Sequence, residues 1–308
     1  MPHLDPADAA IPDRDASPAV TPERFQRSTG EAVVRVVDAG GAAALGTTRA
    51  AGSAKLRFPR GGGGRDAANI EAMVLNTSGG LASGDRFRTA MTAEAHRLTM
   101  STLACERVYR CEEAPARVEQ AVAVAAGASL RHLPQPTILF DGARLRRHTR
   151  IDVASGAGLT FCEGLVLGRE AMGECVAAAD VVDRVELRVD GRLTFVDAFG
   201  LDAGTLARAA GPAALAGARG VGLVLHIGPT GPVPPPADEE AGEPSLGEGA
   251  AAVARAALAG SSVRWGASNI GILTVVRVLA PGHTSLQDAL GRAVVALSGA
   301  PLPRAWQL

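Results

Sequence analysis

Glu94-Ala95-His96-Arg97-Leu98, Gly127-Ala128-Ser129-Leu130 and Gly156-Ala157-Gly158-Leu159 each close a turn and open an apolar strand, and their alanines recur about every thirty residues. One turn re-used at that interval predicts a mainly β chain of stacked β-sheets, of which a β-helical winding is one form. Chance recurrence of Gly-Ala in an alanine-rich chain is the competing explanation. The surrounding sequence favours strands. Residues 56–58, 70–75, 86–93, 96–101, 118–124, 144–153, 159–166 and 185–189 alternate or are rich in β-formers. Asp190-Gly191 is the dipeptide of a type I′ hairpin turn. Residues 263–279 read as strand material with a turn near Asn269.

Helices are few. Thr284-Ser285-Leu286-Gln287 fits a capping box, and Leu286, Ala289, Leu290, Ala293, Val294 and Leu297 then share one helical face, which is expected to pack on a sheet. Alanine richness predicts two more helices, over 203–218 and 250–259. Residues 1–29 are dominated by Pro, Asp and Ala without any period and are expected to be a disordered tail. Residues 30–308 are expected to form a single β-rich domain. Within it, the proline- and acid-rich stretch 229–249 reads as an extended loop insertion.

The chain of 308 residues is long enough for a substantial core. Its formal net charge of −1 gives no bulk attraction to nucleic acid or to an anionic membrane. The charge is uneven, because residues 1–29 and 229–249 together are strongly acidic and leave about +6 on the remaining body. No apolar stretch is long enough to span a bilayer, and the N-terminus lacks the apolar centre of a secretory signal. Cys105, Cys111, Cys162 and Cys175 form no C-x-x-C pair and are expected to be reduced, so a cytoplasmic location is expected.

The glycine-rich run Leu75-Asn76-Thr77-Ser78-Gly79-Gly80-Leu81-Ala82-Ser83-Gly84-Asp85 invites a phosphate-loop reading. Gly79 and Gly84 have that offset, but Asp85 stands where the lysine belongs, and a carboxylate there repels polyphosphate. Gly79, Gly80 and Gly84 are therefore read as a structural turn. The run Gly61 to Gly64 reads as a flexible loop. The histidines come singly, without zinc-hydrolase spacing, and no G-x-S-x-G elbow exists. Four acids remain. Asp85 follows a glycine turn, Asp141 precedes one, Glu163 interrupts an apolar strand and Glu174 closes a Met-Gly-Glu turn. Inward carboxylates in a β shell are costly unless hydrated or paired, and a polar passage with loose oxygen sites for a divalent ion is one solution. The plainer alternative is that Asp85 and Asp141 cap turns while Glu174 pairs with Arg169. In the basic strand 144–153, Arg144, Arg146, His148, Arg150 and Asp152 share one face. Arg144, Arg146 and Arg150 are candidates for a protein interface; without interleaved aromatics they make a poor nucleic-acid platform.

Five segments carry a family resemblance: L-N-T-S-G-G-L-A-S-G-D from Leu75, Val108-Tyr109-Arg110, L-P-Q-P-T-I-L-F-D-G-A from Leu133, L-G-R-E-A-M-G-E from Leu167, and Pro303-Arg304-Ala305-Trp306. In this order they resemble urease accessory proteins of the UreD (also called UreH) type, over roughly residues 50–308. Ser83, where glycine is common, and Arg107, where lysine is common, depart only mildly; the 229–249 insertion is less usual. The resemblance implies a β-rich, non-enzymatic urease maturation factor. Its partners would be urease apoprotein, an F-type accessory protein and, through that protein, a G-type GTPase. It implies no tightly bound cofactor but transient Ni²⁺, carried through an internal tunnel for which Asp85, Asp141, Glu163 and Glu174 are the candidates. A hydrolase and a structural or carbohydrate-associated β-helix are the rival readings.

Overall fold

The computed structural model describes residues 27–59, 68–209, 211–228 and 249–307. The glycine run 61–64, residues 1–26 of the expected tail 1–29 and residues 229–248 of the expected insertion 229–249 lie outside the described residues; Thr29 already belongs to a strand and Gly249 to a helix. The chain opens with a hairpin, β1 (Thr29–Ala39) and β2 (Ala42–Gly52), then β3 (Ala54–Arg57). It then winds in circuits. β4 (Asn69–Asn76) leads to β5 (Arg86–Ala93); β6 (Arg97–Thr102) leads through β7 (Arg107–Val108) to β8 (Ala116–Val124). β9 (Ser129–Leu133) leads through β10 (Thr137–Leu139) to β11 (Ala143–Val153), and β12 (Gly158–Leu167) to β13 (Ala179–Val189). There follow β14 (Arg192–Leu201), α1 (Ala203–Arg208), β15 (Gly220–Ile227), α2 (Gly249–Leu258), β16 (Arg264–Ile270), β17 (Leu273–Ala280) and α3 (His283–Ser298).

Two sheets result. The first has the order β14-β13-β11-β8-β5-β1-β2, the second β16-β17-β15-β12-β9-β6-β4-β3, with β10 and β7 attached through β12. In the wound region every neighbour is parallel: β1-β5-β8-β11-β13 in one sheet and β4-β6-β9-β12 in the other. Apart from the short β7 and β10, which stay with the second sheet, the chain crosses to the opposite sheet after each strand of the wound region, so the stacked-sheet expectation is met in its β-helical form, closed at either side by antiparallel strands.

The repeated turns lie at the end where the chain passes from the first sheet to the second. Leu98, Leu130 and Leu159 sit in register on adjacent strands and are all buried. The alanines do not align as the sequence suggested. The first turn is one residue shorter, and His96, with φ of 58°, stands level with Ala128 and Ala157, its carbonyl accepting from Ser129 N at 2.8 Å.

Strand alternation makes the core. Ala116, Val118, Val122 and Val124 of β8 are buried, as are Leu145, Ile151 and Val153 of β11, while their neighbours face out. The second sheet is covered outside by α2 and α3, so β12 and β15 are buried on both faces. Gly222 permits that approach: a Cβ there would lie 2.8 Å from Leu290 Cδ2. The expected face of α3 is buried as read. Its cap is not: the helix starts from Gly282, whose N–H donates to Ser285 Oγ at 3.3 Å, two residues before the expected Thr284 cap. The 203–218 helix is shorter than expected, ending at Arg208, with turns beyond it. The Asp190-Gly191 hairpin forms with φ of 49° and 77°, and the turn expected near Asn269 falls two residues on, at Gly271.

Candidate functional site

The opposite end of the coil carries longer crossovers, from the second sheet to the first: residues 77–85, 103–115, 134–142 and 168–178. The chain's winding stacks them, although they are far apart in sequence. Leu81 N donates to Arg107 O (2.7 Å) and Tyr109 N to Leu81 O (2.9 Å). Ile138 N donates to Glu106 O (2.8 Å), Phe140 N to Val108 O (3.0 Å) and Gly168 N to Leu139 O (2.8 Å). Side chains extend the ladder. Tyr109 donates to Gly79 O at 2.9 Å and meets Phe140 edge-on at 5.0 Å, and the Arg169 guanidinium lies 4.4 Å over Phe140. Gly80 is required here: its φ is +151°, and a Cβ would come within 2.8 Å of Arg107 O and 2.4 Å of the Tyr109 ring. Gly79 and Gly84, at φ of 79° and 75°, complete the turn. At the inner edge, Gln135 Nε2 donates to Ala305 O (2.5 Å) and Trp306 Nε1 to Leu133 O (2.9 Å). All five segments singled out in the sequence thus meet in one region.

Of the four candidate carboxylates, three hold this ladder. Asp85 accepts from Ser28 N (2.7 Å) and Ala82 N (2.8 Å), which also ties down the residues expected at the end of the tail. Asp141 accepts from Ala177 N and Ala178 N, both at 2.9 Å, and pairs with Arg110; the two amides hold its carboxyl below the ordinary range. Glu174 pairs with Arg169 (2.9 Å) and accepts from Asp141 N (3.2 Å), and the Arg169 hydrogen bond brings it to about 2. Asp141 and Glu174 are thereby brought together.

Glu163 is different: it is 4% exposed and lies inside. Arg147 Nε is 2.9 Å from Glu163 Oε1, but its proton is aimed at Asp183 Oδ1, and Arg147 Nη2 reaches Asp183 Oδ2 at 2.6 Å. Glu163 Oε1 has no hydrogen-bond partner among the described residues. Burial accordingly raises its pKa, with Arg147 opposing. Arg144 and Arg146 both pair with Asp180, at 3.3 and 2.8 Å on the outer face, where Arg150 also stands level with Glu186.

Two cavities flank the Arg147 cluster. One, of about 210 Å³, lies between the sheets under the crossovers; Cys105, Glu106, Gln120, His132 and Arg147 are among its lining. The other, about 80 Å³, is lined by Glu163, Asp183, Asp197 and Arg277. Burial pushes Glu106 up to about 7 despite hydrogen bonds from Asn76 and Arg107 N. Burial also pushes His132 down to about 3, so it is neutral. Its Nε2 lies 3.0 Å from Gln120 Oε1, which also accepts from Thr149 Oγ1, so Nε2 carries the proton and Nδ1 a bare lone pair without a hydrogen-bond partner among the described residues.

Sequence reading missed Glu106, His132, Arg147 and Asp183. Arg147 carried a signal: in the alternation of β11 it falls on the inward side with Leu145, Thr149 and Ile151. Glu106 lies in a crossover and His132 reads as a single histidine, so neither showed a pattern.

Known proteins match this chain over nearly its whole length. A family profile for the UreD urease accessory protein matches residues 28–307. Proteins named urease accessory protein UreD are similar to it. That of Methylobacterium sp. (strain 4-46) is 38% identical, with 92% of this chain and 96% of that protein covered. That of Paracoccus denitrificans (strain Pd 1222) is 38% identical, at 94% and 96% coverage. That of Xanthobacter autotrophicus (strain ATCC BAA-1158 / Py2) is 37% identical, at 98% and 96%. With the motif segments assembled in one place and matches of this extent, the chain belongs to the UreD urease accessory protein family.

Proposed function

We propose that this chain is a non-catalytic maturation factor for urease. It docks on urease apoprotein together with an F-type accessory protein and, through that protein, a G-type GTPase, and it passes Ni²⁺ through its interior toward the urease active site. Family membership supports the maturation role. The observation that supports the passage is the set of charged and polar side chains between the two sheets of the coil. Glu106, Gln120, His132 and Arg147 line one cavity, and Glu163, Asp183 and Asp197 the next. Buried carboxylates with raised pKa exchange a proton for a cation at little electrostatic cost, and oxygen ligands hold a borderline ion loosely enough to release it. In this reading Glu163 faces the cargo, while Asp85, Asp141 and Glu174 fix the crossovers around the opening. The Arg144–Arg146–Arg150 face is offered to a protein partner, and the work takes place in the cytoplasm.

The test is co-expression of tagged chain with urease subunits, with and without the F-type protein, followed by sizing and metal analysis of the urease. Co-elution with urease, and nickel content that depends on the chain, are expected. Urease that loads equally well without the chain would refute the reading.

A further inference from the structure

A thiol and an imidazole stand together where two hollows meet. Cys105 lies in the crossover between β6 and β8 and lines the 210 Å³ interior cavity. His283 begins α3 and lines a separate surface groove of about 1060 Å³ that runs along α2 and α3, with Gln287, Asp288 and Arg292 on its wall. Cys105 Sγ and His283 Nε2 are 3.4 Å apart, and both residues are partly exposed. That separation matches the edge of a metal's coordination polyhedron. With metal–sulfur about 2.3 Å and metal–nitrogen about 2.05 Å, the S···N distance is about 3.6 Å at a tetrahedral angle and about 3.1 Å at a right angle. An ion can therefore replace the proton between the two atoms with little movement of either residue.

We propose that Cys105 and His283 form a two-ligand port for a borderline-soft divalent cation at the junction of the surface groove and the interior cavity, with His132 Nδ1 the nitrogen that receives the ion inside. The proposal rests on the nickel-passage reading above and assigns its opening. His132 is 3% exposed, lines the cavity that Cys105 lines, and has Nδ1 without a hydrogen-bond partner among the described residues. The chemistry is a proton exchange: the Cys105 S–H bond breaks, a sulfur–metal bond forms and the proton leaves to solvent. No oxidant or reductant is needed. The imidazole offers a ring-nitrogen lone pair, and the thiol gives up its proton as the metal arrives. Two protein ligands, with water completing the shell, hold an ion more weakly than the closed four-ligand sites of structural zinc, as a transfer point requires.

The full chain, reduced and in the absence of air, is titrated with Co²⁺ as the probe, and the near-ultraviolet thiolate-to-Co²⁺ charge-transfer band is followed. The band is expected for the parent and for Cys175→Ser, whose thiol is exposed. It should vanish in Cys105→Ser, and affinity should fall by at least about tenfold in His283→Gln. Circular dichroism of each variant checks that it is folded. Nickel content of urease matured at limiting nickel is measured in parallel and should fall with Cys105→Ser. A band that survives Cys105→Ser, or one whose affinity is unmoved by His283→Gln, overturns the port, as does lost binding with unchanged urease nickel. Those outcomes leave the maturation reading standing, which fails instead if urease loads without the chain.

Discussion

Glu106→Gln should stabilise the protein, and by an amount that depends on pH. The carboxyl rises from an ordinary value of 4.5 to about 7 because burial penalises its charged form more than Asn76 and Arg107 N favour it. A carboxyl raised on folding binds more protons in the native state than in the unfolded chain between those two values. Stability therefore falls as pH rises from about 4.5 to about 7 and is flat above. The loss is about 2.5 pH units at about 1.4 kcal/mol each, or about 3 kcal/mol. Glutamine copies the neutral acid, keeps an oxygen for Asn76 Nδ2 and for Arg107 N, and escapes the loss. Urea denaturation from pH 5 to pH 8 measures it. At pH 5 the variant should lead by less than about 1 kcal/mol. At pH 8 the variant should lead by about 3 kcal/mol, which is about 1 M in midpoint for a slope of about 3 kcal/mol/M. A difference that does not change with pH, or a variant less stable at pH 8, would refute the reasoning. If the carboxylate also meets the cargo, the same variant should lower the nickel content of co-expressed urease while being the more stable protein. A general loss of folding cannot produce that combination.

Arg147→Met removes the cation that Asp183 and Glu163 share, and leaving those charges buried should cost about 3–5 kcal/mol, seen as a melting temperature lower by about 10 °C. Adding Asp183→Leu should recover much of that loss in the same calorimetric scan; a single variant that melts with the parent would show the cluster to be hydrated. Gly80→Ala places a methyl against Arg107 O at a φ of +151° and should destabilise by about 1–3 kcal/mol in thermal unfolding, whereas an unchanged melt would mean the crossover can shift. Asp141→Ala should speed hydrogen exchange at the Ala177 and Ala178 amides, which it now accepts, while leaving the exchange of β11 unchanged.

The periodicities were legible in the sequence because they report local physics. Alternation in residues 86–93 and 144–153 marks one buried face per strand, and the 3.6-residue period of Leu286 to Leu297 marks the face of α3. The regular Gly-Ala turns marked the spacing of the coil, and the motif segments marked the family. Where the turn itself was uneven, the alignment slipped: His96, not Ala95, stands level with Ala128, because register is set by hydrogen bonds to the next coil and not by residue type. The start of α3 slipped for a local reason: Gly282 N donates to Ser285 Oγ, which sets the cap two residues before Thr284.

Which of the acids stay with local partners and which reach another coil was decided only by the tertiary structure. Asp85, Asp141, Glu163 and Glu174 are alike in sequence, each an acid beside a turn or within an apolar run. Asp85 caps its own turn at Ala82 and Glu174 pairs with Arg169 of its own crossover, the plainer alternative that the sequence offered, while Asp141 reaches Ala177 and Ala178 of the next crossover and Glu163 finds Arg147 and a cavity. Cys105 and His283, 178 positions apart, show no spacing a sequence could reveal. Strand and helix periods are written by neighbours along the chain. A charge's partner, and hence its pKa and its chemistry, is written by whichever coil the winding lays beside it.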